Sequence, residues 1–154
     1  MSCVEVLSNW IDSANILQKQ KSIRRKLLER QNVSYVEKNI AILGGSTISD
    51  IKNLLEIFLL QSDIRANLYE SSYNRYYEEA IFPNAELESF RPEIIIVFTN
   101  VSNLIHTPEV GDSKAELEKK LNLEYDRYER IWTSLEEKYH ASIIQNNIEL
   151  PRSE

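Results

Sequence analysis

Residues 39–62 constrain this chain more than any other stretch. The apolar run Ile40-Ala41-Ile42-Leu43 ends at Gly44-Gly45-Ser46-Thr47, and an amphipathic segment, Ile48 to Gln61, begins at once. Such a run followed by a tight Gly-Gly turn predicts a strand, Ile40–Leu43, feeding directly into a helix. Ile48, Ile51, Leu54, Leu55, Phe58 and Leu59 form the apolar stripe expected of that helix. The chain has only three Gly, and two of them stand in this turn. The arrangement presents the Ser46 hydroxyl at the end of a sheet, beside the positive end of a helix. That geometry suits nucleophilic chemistry or an anion site. The alternative is that Ser46 or Thr47 caps the helix. The turn lacks the Lys and length of a P-loop and the G-x-G-x-x-G of a dinucleotide fold.

Three further strands are predicted: Arg65–Glu70, short and alternating like an edge strand; Glu93–Thr99, a continuous β-branched run that reads as buried on both faces; and Ala141–Gln145. Helices separate them. Tyr73–Glu79 predicts a short one. Asn84 is a cap for Ala85–Phe90, which Arg91-Pro92 ends. Ser113-Lys114-Ala115-Glu116 is a capping box opening a long helix. Its apolar stripe is Leu117, Leu121, Tyr125, Tyr128, Trp132, Leu135 and Tyr139. Alternating strands and helices imply a parallel sheet with helices on both faces. Residues 3–31 contain neither Gly nor Pro, and Val6, Trp10, Ala14, Leu17, Ile23, Leu27 and Leu28 recur at helical spacing. They predict a helical extension over residues 1–38, before an α/β domain over residues 39–154. That extension either covers the chain's own sheet or pairs with a second copy through Trp10, Leu17 and Ile23.

Composition narrows the setting. At 154 residues the chain has a single-domain length, and 42% apolar residues is ordinary for a globular chain. The net charge of −6 argues against a nucleic-acid partner. Charge is uneven: residues 1–38 carry Lys19, Lys21, Arg24, Arg25, Lys26, Arg30 and Lys38 against Glu5, Asp12, Glu29 and Glu37. Either this is a solvated face or it meets an acidic partner. The single Cys3 rules out an internal disulfide. No stretch is long and apolar enough for a membrane span, and no signal-peptide core is present, so a cytoplasmic protein is expected.

Open α/β sheets form sites beyond the carboxyl ends of their strands. The loops at 44–49, 70–77 and 100–111 therefore hold the candidate residues. Ser46 is the candidate nucleophile, and His106, in the third loop, is the candidate base. Gly45, Thr47, Asn100 and Asn103 are candidates for the oxyanion or ligand. Asn100 and Asn103 are equally readable as turn formers. Tyr73, with Tyr69, Tyr76 and Tyr77, either lines a pocket or packs a loop over the sheet. His140, at the end of the last helix, reads as structural. No Cys/His cluster suggests zinc and no carboxylate cluster suggests magnesium; no cofactor is expected.

Five motifs occur in an order that resembles a known family. They are Ile-Ala-Ile-Leu-Gly-Gly-Ser-Thr (40–47), the Tyr-rich stretch after the second strand, Phe82-Pro83-Asn84-Ala85-Glu86-Leu87, Phe90-Arg91-Pro92-Glu93-Ile94-Ile95-Ile96-Val97, and Ile143-Ile144-Gln145-Asn146-Asn147-Ile148-Glu149-Leu150-Pro151. Together they resemble the N-terminal SGNH-hydrolase-like domain of FkbH-like proteins, over about residues 35–151. In those proteins it precedes a phosphatase domain of the haloacid dehalogenase superfamily, subfamily IIIC. The resemblance implies a three-layer α/β/α sandwich, flavodoxin-like and SGNH-like, with a mostly parallel sheet. It implies handling or positioning of acyl or glyceryl groups on an acyl carrier protein, in polyketide or surface-polysaccharide biosynthesis. An alternative is a non-catalytic module that docks a carrier protein or a partner phosphatase domain. The chain departs from the pattern at three points. Gly-Asp-Ser becomes Gly44-Gly45-Ser46, no Gly or Asp matches the Gly-x-Asn-Asp block near Thr99–Asn103, and the Asp-x-x-His block would fall past residue 154. The expectation is a domain truncated at its C-terminus. The phosphatase's Asp-x-Asp is absent.

Overall fold

The apolar run before Gly44-Gly45 forms the inner strand of a sheet that fixes everything else. The structure, a computed structural model, describes residues 13–148. Expectations resting on Cys3, Val6, Trp10, the Ala14 and Leu17 side chains and residues 149–151 lie outside what it describes. The elements run α1 (Ser13–Leu28), β1 (Val36–Gly44), α2 (Ser49–Gln61), β2 (Ile64–Glu70), α3 (Tyr76–Ile81), α4 (Ala85–Phe90), β3 (Ile94–Phe98), a 3-10 turn (Val101–Asn103), α5 (Lys114–Tyr139) and β4 (Ser142–Gln145). The four strands lie in the order β2-β1-β3-β4. Pairing is parallel, with Ile40 opposite Ile94 and Gly44 opposite Phe98, then Ile94 opposite Ser142 and Val97 opposite Gln145. This is a mixed α/β fold of the expected class, compatible with a three-layer α/β/α arrangement. β2 is an edge strand, as its alternation suggests.

By its packing the chain divides into two compact units. In the first (residues up to 38, and 48–67), α1 packs on α2. Ile23 is buried, Arg24 pairs with Glu56 at 2.8 Å, and Arg30 reaches the Leu60 carbonyl and the Asp63 carboxylate. Part of the basic face of α1 is therefore spent inside the chain. α1 ends three residues earlier than the periodicity suggests, and Asn32 then takes a left-handed φ of 60°. In α2 the buried face runs through Ile57 and Leu60, with Ile48 buried just before the helix. Ile51 and Phe58, both expected in the stripe, are 37% and 48% exposed. Neither Ser46 nor Thr47 caps α2; Ile48 occupies the cap position without a side-chain bond.

The second unit (residues 39–47 and 68 onward) holds the main core. Ala41 and Leu43 of β1 and Ile95 and Val97 of β3 meet Tyr76 and Ala80 of α3, Leu87 of α4, and Tyr128, Ile131 and Leu135 of α5. At about 25 cal/mol per Å² of apolar surface, each fully buried Leu, Ile or Val among them contributes roughly 1.5–3 kcal/mol. The strand buried on both faces is β1, whose last five residues are all inaccessible, and not β3. In β3 only Ile95 and Val97 are fully buried. Ile94, Ile96 and Phe98 lie on the face shared with Ile144 of the short edge strand, itself 50% exposed. α3 starts at Tyr76 rather than Tyr73 because Asn74 takes a left-handed φ of 55°. Asn84 caps α4, accepting from Glu86 and Leu87 N–H at 3.1 Å each. Ser113 and Glu116 form the expected reciprocal cap of α5. Left-handed His140 ends that helix. The α5 stripe holds in its second half only: Leu117, Leu121 and Tyr125 are exposed, whereas Glu124 and Ile131 are buried. The first turns of the helix run past the core they were expected to join.

Candidate functional site

Parallel strands deliver β1, β2, β3 and β4 to one edge of the sheet, so the residues following each carboxyl end face the same side. After β1, the backbone donors are used at once. Gly44 N–H donates to Ser71 Oγ at 2.9 Å, and Gly45 N–H donates to the Phe98 carbonyl at 2.8 Å. Ser71 is buried and donates its own N–H to the Ile42 carbonyl. The sheet ladder thus runs one residue past β1, and the Gly45 N–H is not open to a ligand.

Asn103, in the loop after β3, ties three loops together. Its Nδ2 donates to the Gly45 carbonyl at 2.8 Å and to Asn74 Oδ1 at 3.1 Å. Its Oδ1 accepts from the Asn100 N–H at 2.9 Å. The approach is close enough to demand glycine: a β-carbon at position 45 would lie 2.5 Å from Asn103 Cγ and Nδ2. Asn100 Oδ1 in turn accepts from Ser102 N–H at 2.9 Å and shapes the 3-10 turn. Thr99 is buried, and its hydroxyl accepts from Tyr128 and from Gln145 Nε2. Its N–H and carbonyl are both held by the Asn146 side chain at 2.8 Å.

A buried ion pair underlies this loop. Glu124 Oε1 accepts from the N–H groups of Ile105 and His106 at 2.8 Å each. Its Oε2 meets Arg127 Nη2 at 2.9 Å, and both side chains are nearly inaccessible. Arg127 also donates to Tyr76 Oη and to the Asn103 carbonyl, each at 2.8 Å, and lies 4.7 Å over the Tyr128 ring. Burial pushes the Glu124 carboxyl up, but the His106 N–H, Arg127 and the Ile105 N–H outweigh it and hold the group below the usual carboxylate range. Burial also opposes the charge on Arg127, and Tyr76 and Glu124 overcome it, raising its pKa. Sequence reasoning missed this pair. The signal was a Glu and an Arg three apart on the otherwise apolar core face of α5.

The tyrosine cluster is mostly packing. Tyr76 is buried, Tyr77 lies against the core, and Tyr69 donates to Glu79 Oε2 at 2.8 Å. Buried Glu79 also accepts from Ser72 N–H and Asn84 Nδ2, and burial pushes the Tyr69 phenol up to about 12. Only Tyr73 stands out, 73% exposed.

The remaining candidates are less restrained. Ser46 is half-buried and Thr47 exposed. His106 is half-buried and anchored by its backbone N–H to Glu124. Among the described residues, the Ser46 hydroxyl and the His106 imidazole make no hydrogen bond, to each other or to any other group. No cluster of three or more His, Cys, Asp or Glu among them is placed to hold a metal ion. No helix among them is long and apolar enough to cross a membrane.

The fold has a counterpart among solved structures. The chain superimposes with a TM-score of 0.65 on the crystal structure of the N-terminal part of the protein BF1531 from Bacteroides fragilis, which contains a phosphatase domain and is complexed with Mg. The match covers 86% of this chain and 34% of that one, at 17% sequence identity. The chain therefore spans about a third of the structure it resembles, and the likeness is one of fold. No protein-family model matches the sequence, and no curated protein does.

Proposed function

We propose that this chain is the SGNH-hydrolase-like N-terminal domain of an FkbH-like protein, working in the cytoplasm. In this reading it positions an acyl or glyceryl unit, held on an acyl carrier protein, for a neighbouring phosphatase domain. The ordered motifs of residues 40–151 and the fold shared with part of a phosphatase-containing protein support the assignment.

One observation favours positioning over serine catalysis. Two of the candidate oxyanion donors are already engaged: the Gly45 N–H with Phe98 and the Asn103 amide with Gly45 and Asn74. Oxyanion stabilisation requires donors aimed at where charge develops, before it develops. A Ser with fewer such donors and with no bonded base among the described residues is a poor nucleophile. The test is capture of an acyl carrier protein loaded with a glyceryl thioester. Binding that survives Ser46→Ala, with no release of the glyceryl group by either protein, is expected. Thioester cleavage that disappears in Ser46→Ala overturns the positioning reading.

A second reading keeps Ser46 as nucleophile of an acyl or glyceryl hydrolase or transferase. It is favoured by the Ser46 hydroxyl, partly accessible and without a hydrogen bond among the described residues. It requires a base from His106 or from a segment past Glu154. Ser46-dependent cleavage would select it, with His106 as base if this chain cleaves and a later base if only a version extended past Glu154 does.

A further inference from the structure

The 26-residue α5 is about 39 Å long at 1.5 Å per residue, whereas β4 beside it has four residues. Its second half buries Tyr128, Ile131 and Leu135. Its first half carries Leu117, Leu121 and Tyr125, which are 39%, 69% and 55% exposed. Spacing of four residues sets them on one stripe. The stripe continues toward the sheet: Tyr125 meets Trp132 edge-on at 6.1 Å, and Trp132 Nε1 donates to Gln145 of β4. The loop before the helix covers a different face, through Glu124 and through Lys120, which pairs with Asp112 at 2.8 Å.

The outer flank of this stripe is acidic. Glu118, Glu129 and Glu136 are all exposed and recur at whole helical turns, eleven and seven residues apart. Lys114 meets Glu118 at 3.8 Å and leaves the other two carboxylates facing solvent as a row. A long apolar stripe beside a row of carboxylates fits an amphipathic helix with a basic flank. It fits a second copy of this chain poorly. An antiparallel two-fold pair sets the same flank of both helices side by side, acid against acid. It fits an acidic carrier protein poorly for the same reason.

We propose that the first half of α5 is a docking surface for a basic amphipathic helix of a partner protein. Leu117, Leu121 and Tyr125 would take its apolar face, and Glu118 and Glu129 its cations. The test titrates the full chain into two fluorescein-labelled synthetic helices, one of Leu and Lys and one of Leu and Glu, each with leucines on one face. Saturable binding of the Leu/Lys helix, with the Leu/Glu helix at least about tenfold weaker, is expected. Leu121→Asp should abolish binding and leave the far-ultraviolet circular dichroism unchanged, because the side chain is 69% exposed. The triple variant Glu118→Gln, Glu129→Gln, Glu136→Gln should weaken binding and flatten its salt dependence. Equal affinity for both helices, no binding, or binding indifferent to Leu121→Asp and to the triple variant overturns the proposal. A concentration-dependent dimer that Leu121→Asp dissolves also overturns it, in favour of a second copy.

Discussion

The loop after β3 and the turn after β1 face the same edge of the sheet, yet they are built in opposite ways. In the first, polar groups are locked: Asn103 spans Gly45, Asn74 and Asn100, Thr99 is held by Asn146, and Glu124 with Arg127 anchors the loop from beneath. In the second, the backbone of Gly44 and Gly45 is fixed, but the Ser46 hydroxyl is bonded to nothing among the described residues. The contrast teaches that rigidity here serves the frame. A catalytic turn would need the reverse, with donors held in place but open and the nucleophile paired to a base.

Breaking the frame should have the largest effect. Arg127→Ala leaves Glu124 buried without its countercharge and should cost about 3 kcal/mol in urea unfolding. Glu124 also sets a pH dependence. Its pKa is lowered in the fold, so its contribution is present above the usual carboxylate range and is lost as pH falls through the lowered value. Stability measured from pH 7 down to pH 3 should therefore fall on the acid side. Glu124→Gln should flatten that limb while lowering the neutral plateau. An acid limb unchanged by Glu124→Gln would detach the pair from this role.

The next effect sharpens the join between the two regions. Gly45→Ala forces a β-carbon into the Asn103 amide and should cost about 2 kcal/mol. Asn103→Ala strands the Asn100 N–H and the Gly45 carbonyl and should cost a similar amount, roughly 2 kcal/mol. The double variant should cost clearly less than the sum, because each change removes what the other offends. Strict additivity would mean the contact does not hold the turn. Tyr69→Phe, which removes one of three donors to Glu79, should cost about 1 kcal/mol. Ser46→Ala should be smallest, within about 0.5 kcal/mol of the parent, since no bond among the described residues is lost.

Much of the frame was legible because its signals are local. The β1 run, the Asn84 cap and the Ser113–Glu116 cap each declare themselves within a few residues; both caps appear as read, and the strand extends past Ile40–Leu43 to Val36–Gly44. The carboxyl edge of the sheet was legible too, since parallel strands leave few other places for long polar loops. Phase along amphipathic helices was harder to read. Leu117, Leu121 and Tyr125 continue the periodicity of Leu135 but are exposed among the described residues. Periodicity fixes which residues share a face and is silent on how far the opposing layer extends. The Glu124–Arg127 pair was hidden for a related reason. A charge at a core position reads as a fault in the pattern until the loop that fills its hydrogen bonds is in place. Asn100 and Asn103 read equally as ligand donors or as turn formers, and in the fold the Asn103 amide is turned inward to Gly45 and Asn74.

The central claim is that the Gly-Gly-Ser turn positions rather than cleaves. Treatment with a fluorophosphonate probe, followed by intact-mass analysis of the parent chain and Ser46→Ala, tests it most directly. The account predicts no adduct on either protein. A stoichiometric adduct on the parent that is absent from Ser46→Ala would contradict it and make Ser46 a working nucleophile.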